Sequence, residues 1–341
     1  MPKTKLKLAL VGSDTMRGRE LKDLLDRTAD LDFQMEFFDP DVKGEFHKLT
    51  DFKNEACVIQ AVKAEDLARK SLVFLAADKE TNRTLGRQAA KLKFKAVDLS
   101  EAFNDDPAIP LAVAGVNDDV LEGGKVRLAA NPNPVTIMLA HFFQVARPAF
   151  GLKKAVAFVL RPVSAYDDPG IQELASQSAS LLSGADPEKK VFDQQIAFNL
   201  LSHTEKPDAY GFCSTELQIA AELKRVLGTP DFPLLLSAAQ APVFHTYSIM
   251  LFLELVADPT LEEFEAAFGG RPEFSVTAFR EGCSASAISV AGREEIFVGR
   301  LQKDPALPGA FWAWLVADDL TRGSTLNALA VGRKLLGGPA R

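Results

Sequence analysis

Cysteine is scarce: Cys57, Cys213 and Cys283 are the three in 341 residues. Their odd number and wide spacing exclude a disulfide framework and a metal site built from closely spaced thiols. Long apolar runs are missing as well. No stretch reaches the roughly 18 residues that a bilayer span requires, and Ile249–Leu255 is both short and interrupted by Glu254. Positive charge is not in excess: 39 Lys and Arg stand against 46 Asp and Glu, a net charge of −7. That balance argues against wrapping nucleic acid or lying on an anionic membrane. Met1–Lys7 carries basic residues but no long apolar core and no small-residue cleavage site, so it reads as the entry to a strand. The expected location is therefore the cytoplasm. No Gly-x-Ser-x-Gly elbow is present, which leaves a Ser/His/Asp triad unsupported. Tyrosine is rare, 3 against 24 phenylalanines, and the phenylalanines are scattered, which suits core packing rather than a ligand box.

What is there is the composition of a globular chain, 47% hydrophobic and 25% charged, long enough for about two domains. Leu6–Val11 is a short apolar strand followed at once by Gly12. The periodicity predicts a helix over Met16–Arg27, with Leu21, Leu24 and Leu25 on one face. Phe33–Asp39, Ser71–Ala76 and Lys95–Asp98 read as further strands, with a helix over Thr84–Lys93. Strands alternating with helices predict a doubly wound, Rossmann-type α/β domain. Asn131-Pro132-Asn133-Pro134 breaks this series before a helical run, Val135–Ala146. A second α/β domain follows, with an apolar strand at Ala155–Leu160 and an amphipathic helix at Glu216–Leu227 stopped by Gly228 and Pro230. Strands are expected within Leu234–Leu255 and Glu295–Gln302, and a last helix over Leu326–Leu336, ending in Gly337-Gly338-Pro339.

The first strand-loop-helix unit is where such a fold holds a dinucleotide. Its loop is Gly12-Ser13-Asp14-Thr15-Met16-Arg17-Gly18. Glycines let the backbone approach a pyrophosphate, and the helix N-terminus offers free N–H groups. Gly12, Met16, Arg17 and Gly18 are thus the candidate cofactor-binding residues. Thr15 replaces a middle glycine, and Asp14 puts a carboxylate where phosphate oxygens lie. Two like charges 4 Å apart repel by roughly 1 kcal/mol in water and about 4 at an effective dielectric near 20. Arg17 offsets part of this, and Asp14 reads as the helix cap. No cofactor, or weakly bound NAD(P), is expected.

This loop, the Asn131-Pro132-Asn133 turn, Gln195–Asn199, Phe297–Arg300, Val316–Leu320 and Leu326-Asn327-Ala328 follow the order found in aspartate-semialdehyde dehydrogenases, which the chain resembles over essentially its whole length. The resemblance implies a nicotinamide-binding domain over 1–133 with the C-terminal helix 324–341, and a catalytic and dimerisation domain over 134–323. It implies reduction of an aspartyl phosphate to the semialdehyde through a thioester on a cysteine that directly follows the Asn-Pro-Asn turn. Here that position is Pro134, which has no nucleophile and no backbone N–H, and which starts a helix well. The position of the family's acid/base histidine holds Tyr247, with His245 two residues earlier. If the segment is a strand, His245 points the same way as position 247; a half-buried, hydrogen-bonded histidine is the plain reading. The family's substrate arginine is Gln240 and its active-site glutamine is Arg161. Asn104 stands for a phosphate-gripping arginine, Gln218 for a lysine beside Glu216 and Glu222, and Ala330 for a glutamine near the nicotinamide. The family's Ser-Ala-Gly-Gly turn reads Ala76-Ala77-Asp78-Lys79.

No other thiol takes over. Cys57 lies in an apolar run and is expected to be buried. Cys213 precedes Ser214-Thr215-Glu216 at a helix start, a setting that lowers a thiol pKa, and Cys283 follows Gly282 in a loop. Neither falls at the expected crossing of cofactor and substrate. Asp167-Asp168, near Asp193, read as solvated carboxylates of a Pro/Gly loop, so no metal is expected.

The expected protein is a non-catalytic homologue: a homodimer acting in binding, regulation or assembly, with an unidentified protein or small-molecule partner. The alternatives are an NAD(P)-dependent oxidoreductase of altered chemistry, acting on an aldehyde or acyl phosphate, and an aspartate-semialdehyde dehydrogenase of amino-acid biosynthesis.

Overall fold

The computed structural model describes residues 5–42, 48–228, 231–277 and 285–338. Cys283, Pro230, Pro339 and the first four residues lie outside them. The chain divides into two compact units, Met1–Asn133 with Ser324–Arg341, and Pro134–Gly323.

The first unit is built on β1 (Leu6–Val11), β2 (Phe33–Asp39), β3 (Lys48–Phe52), β4 (Glu55–Ala61), β5 (Leu72–Leu75), β6 (Ala96–Asp98) and β7 (Leu128–Ala130). They form one sheet in the order β3-β4-β2-β1-β5-β6-β7, parallel except for β3 against β4. The order reverses at β1, which has β2 on one side and β5 on the other. Such a switch point opens a crevice at the strand ends, and the Gly12–Gly18 loop follows β1 there. Its helices are α1 (Met16–Arg27), α2 (Ala64–Leu67), α3 (Lys79–Gly86) and α4 (Ala89–Leu92). The single helix expected over Thr84–Lys93 is therefore two, the first starting at Lys79 where Asp78 caps it. Leu21, Leu24 and Leu25 are buried on α1, as their spacing requires.

In the second unit, α5 (Pro134–Phe150) leads to β8 (Leu152–Arg161), α6 (Asp167–Leu182) and α7 (Ser214–Val226). Then come β9 (Leu234–Gln240), β10 (Tyr247–Leu255), α8 (Leu261–Phe268), β11 (Phe274–Val276), α9 (Ala287–Val290), β12 (Ile296–Lys303) and β13 (Ala310–Ala317). The mixed sheet runs β11-β12-β13-β10-β8-β9. Asp167 and Asp168 stand in the first turn of α6, not in a loop. A carboxylate is favourable there, and Pro169 fits where no N–H donor is needed.

One face of this sheet is packed, and among the described residues the other is partly exposed. Ala155, Ala157, Val159, Ile249, Leu251, Leu253, Ala313 and Leu315 are buried. Helices α5 and α8 add stacked phenylalanines, Phe142 on Phe268 and Phe264 on Phe311. The alternate residues form two apolar rows across the strands: Leu235, Val156, Phe252 and Trp312, then Phe158, Met250 and Trp314. Leu235 is 53% exposed, Phe158 46% and Trp312 39%. Glu254 lies on the same face and pairs with Lys154 of its own chain at 3.7 Å.

The last helix, α10 (Leu326–Leu335), belongs to the first unit. Its Asn327 donates to Ala112 O and Asn131 Oδ1 and accepts from the Ala114 N–H. Among the described residues no helix is long and apolar enough to cross a membrane.

Candidate active site

Gly12 has φ +81°, a conformation that side chains rarely adopt, and a Cβ there would lie 2.4 Å from the Ala77 nitrogen. A Cβ on Gly18 would lie 2.0 Å from Gly12 O. The glycines are thus required by the loop's own packing. The cap of α1 is Thr15, not Asp14: Thr15 Oγ1 accepts from the Gly18 N–H at 3.0 Å and lies 2.9 Å from both Gly12 O and Ala76 O. One helix-terminal donor is thereby used. Asp14 is paired with Lys48 at 2.9 Å, which supplies it with a counter-charge. Met16 is buried in the unit and Arg17 is half-buried. After the neighbouring strand β5, Asp78 caps the N-terminus of α3, accepting from the N–H groups of Glu80 and Thr81. Ser13 Oγ is buried without a partner.

The polar groups of this loop do not fit a dinucleotide well. Two carboxylates stand at the ends of adjacent strands β1 and β5, and Thr15 and Asp78 take up N–H groups a pyrophosphate needs. NAD and NADPH are expected to bind with dissociation constants above about 100 µM, or less than roughly 5.5 kcal/mol. Calorimetry with either nucleotide checks this, and micromolar affinity contradicts it.

In the second unit, Pro134 is the first residue of α5. Arg161 and Gln240 are register partners on β8 and β9. Tyr247 opens β10 and is buried beside Arg161. Three family positions thus fall on three adjacent strands in one row. Gln240 Nε2 donates to Arg161 O at 2.9 Å, while Gln240 Oε1 and Arg161 Nε are buried without partners. Arg161 is 9% exposed and meets Glu205 at 2.8 Å. Burial works against its charge, but Tyr247, Tyr166 and Glu205 outweigh it and raise its pKa.

His245 does not share a strand face with Tyr247. β10 begins at Tyr247, and Thr246 between them has φ +76°, which breaks the alternation. His245 is half-buried as expected but its Nδ1 makes no hydrogen bond; the nearest carboxylate, Asp319, is 3.9 Å away. Asp319 is taken up by the Thr246 N–H and Ser164 Oγ. Burial, and then Asp318, push its pKa up.

The acidic groups near position 218 are structural. Glu222 accepts from Gln218 and from Thr136 of α5, each at 2.7 Å. Glu216 accepts from the N–H groups of Cys213 and Ala238, both at 2.8 Å. The Cys213 thiol is pushed up, not down: burial acts first, then Glu216 and Glu205. The helix start is real, but burial, with two carboxylates beside it, overrules it. Cys57 is half-buried on β4 rather than buried, because β4 and β3 form a hairpin at the sheet's edge. In the first unit, Asn104 donates to Asn131 O at 3.3 Å. Among the described residues no three His, Cys, Asp or Glu side chains are grouped to hold a metal ion.

His141 of α5 is buried, and burial together with the Arg322 charge pushes its pKa from 6.5 down to about 3. Its folded pKa lies below the unfolded one. The stabilisation from the neutral ring is therefore complete above pH 6.5 and is lost as pH falls toward about 3. His141→Gln is expected to flatten the loss of denaturant resistance across that window. Parallel curves for variant and wild type contradict this.

The first unit is a nucleotide-binding Rossmann-like module and the second a dimerisation module. Two family profiles match: "Semialdehyde dehydrogenase, NAD binding domain" over residues 7–123, and "Semialdehyde dehydrogenase, dimerisation domain" over 146–322. The chain belongs to the aspartate-semialdehyde dehydrogenase family. It is similar to the aspartate-semialdehyde dehydrogenase of Shewanella violacea, 26% identical over 272 residues and 80% of each chain. It is also similar to the USG-1 protein homolog of Azotobacter vinelandii, 29% identical over 85% of this chain and 86% of that one. A solved structure of a probable aspartate-semialdehyde dehydrogenase from Pseudomonas aeruginosa matches with TM-score 0.89 and 27% identity, over 98% of this chain and 99% of that one.

Proposed function

We propose that this protein is a non-catalytic member of its family, a homodimer that serves in binding, regulation or assembly. The observation that carries the reading is Pro134 as the first residue of α5, where the resemblance assigns the thiol. Proline offers no nucleophile and no N–H for an oxyanion. The dimerisation-domain match and the apolar sheet face support the homodimer. An exposed apolar patch of this kind marks an association surface.

A second reading, an aspartate-semialdehyde dehydrogenase of amino-acid biosynthesis, is supported by the names of the relatives and by their coverage of the chain. Expression in a bacterial strain deleted for its own aspartate-semialdehyde dehydrogenase separates the two. The first reading expects no growth without the supplements that the deletion requires. Growth at a rate near that given by a cloned family enzyme supports the second.

A further inference from the structure

A cavity of about 450 Å³ opens in the second unit between the end of α5, the start of β8 and the end of α7. That volume suits a small molecule. Leu152 lines the cavity and starts the ten-residue strand β8, which Arg161 ends. The length of the strand, roughly 30 Å, thus separates the cavity from the row of Arg161, Gln240 and Tyr247.

The interior is apolar. Phe143 and Phe232 are buried and meet edge-on, their ring centroids 5.3 Å apart. Leu152 is buried as well, and Leu227 and the exposed Val256 complete the apolar lining. Gly151 has φ +65°, and a Cβ there would lie 2.8 Å from Val256 Cγ2, so this stretch of the wall is kept free of a side chain.

The mouth is charged. Arg147 Nε and Asp231 Oδ1 are 3.0 Å apart, with side chains 41% and 69% exposed, so both charges are accessible to a ligand. Pro148, inside the last turns of α5, has no N–H to give the Gln144 carbonyl, and the helix leaves that oxygen without its usual donor. Gln144 and Pro148 both line the cavity. The C-terminal end of a helix favours a cation.

These features select the ligand. A carboxylate alone is attracted by Arg147 and repelled by Asp231, and an ammonium alone meets the reverse difficulty. A molecule that carries both groups on neighbouring atoms satisfies both partners, and an apolar remainder occupies the space that Phe143, Phe232 and Leu227 line. We propose that this cavity binds an α-amino acid with an apolar side chain, its carboxylate on Arg147 and its ammonium on Asp231 and the end of α5. The inference goes beyond the function proposed above and involves none of the positions to which the resemblance assigns catalysis.

Calorimetry of the wild-type chain with L-leucine tests this. Saturable binding is expected, with a dissociation constant of about 1 mM or below. Arg147→Met and Asp231→Asn should each raise that constant at least about tenfold. Their unfolding midpoints should stay near that of wild type, because an exposed ion pair contributes little to stability. On the wild-type chain, isocaproate, which lacks the ammonium, and glycine, which lacks the apolar part, should each bind at least about tenfold more weakly than L-leucine. The proposal is overturned if L-leucine gives no saturable heat up to about 20 mM. Undiminished binding to either variant overturns it as well, and so does isocaproate or glycine binding as tightly as L-leucine.

Discussion

The Pro134→Cys variant is expected to show no dehydrogenase turnover. A thiol at the first position of α5 gains from the helix dipole, and a thiolate forms readily there. The side chain at 134 is also closely placed, since a Cβ on Gly323 would come within 2.7 Å of Pro134 Cβ. The nucleophile is nevertheless one part of a unit. Tyr247 brings a phenol, ordinarily titrating near 10, where a histidine near 6.5 serves acid/base chemistry at neutral pH. Gln240 is neutral and bonded to Arg161 O. Arg161 is engaged by Glu205, and Gln218 by Glu222. Residues of a catalytic unit are strongly non-additive: losing one costs nearly as much as losing all, so restoring one recovers little. The variant should stay about 10⁴-fold or more below a competent family enzyme. A gain above about 100-fold over wild type in NADP-linked turnover would show the remaining site to be competent.

Phe158→Asp combined with Phe252→Asp is expected to convert the proposed homodimer to monomer. The two residues belong to adjacent apolar rows on the partly exposed sheet face. In a two-fold interface each substitution counts twice. An interface of the obligate kind buries more than about 2,000 Å² and is more apolar than ordinary surface. An unpaired carboxylate buried in such a contact costs several kcal/mol, so the dissociation constant should rise by at least about 100-fold. Sedimentation equilibrium at micromolar concentration should give twice 37.0 kDa for wild type and 37.0 kDa for the variant. Because Glu254 pairs with Lys154 of its own chain, Glu254→Lys is expected to act more weakly. A monomeric wild type contradicts the assignment of this face.

Much of the fold was legible because its signals are local. α1 and β2 occupy the ranges their periodicity indicates, and α10 ends within one residue of expectation. The hairpin of β3 and β4 escaped because its turn, Lys53-Asn54, has positive φ at both residues and no glycine to announce it. β13 is a nearly unbroken apolar run with no period to read. α6 was hidden by Pro169-Gly170, which suggest a turn but stand inside its first turns. The site divides along the same line. Pro134, Arg161, Gln240 and Tyr247 could be named from aligned motifs. Their common row could not, because strand register is a long-range property. Glu205, the partner of Arg161, was missed entirely: it sits in a polar loop without pattern, and Ser214 and Thr215, which also donate to it, looked like an ordinary helix start. The Lys48 partner of Asp14 was invisible for the same reason, 34 residues away along the chain.

The proposed absence of catalysis is tested by one assay. The wild-type protein is purified from a host lacking its own aspartate-semialdehyde dehydrogenase. It is then mixed with aspartate semialdehyde, phosphate and NADP, and NADPH formation is followed. NADPH should form no faster than in the protein-free control. Phosphate-dependent NADPH formation that scales with protein concentration would contradict a non-catalytic role and make this chain an enzyme with a nucleophile other than the residue at position 134.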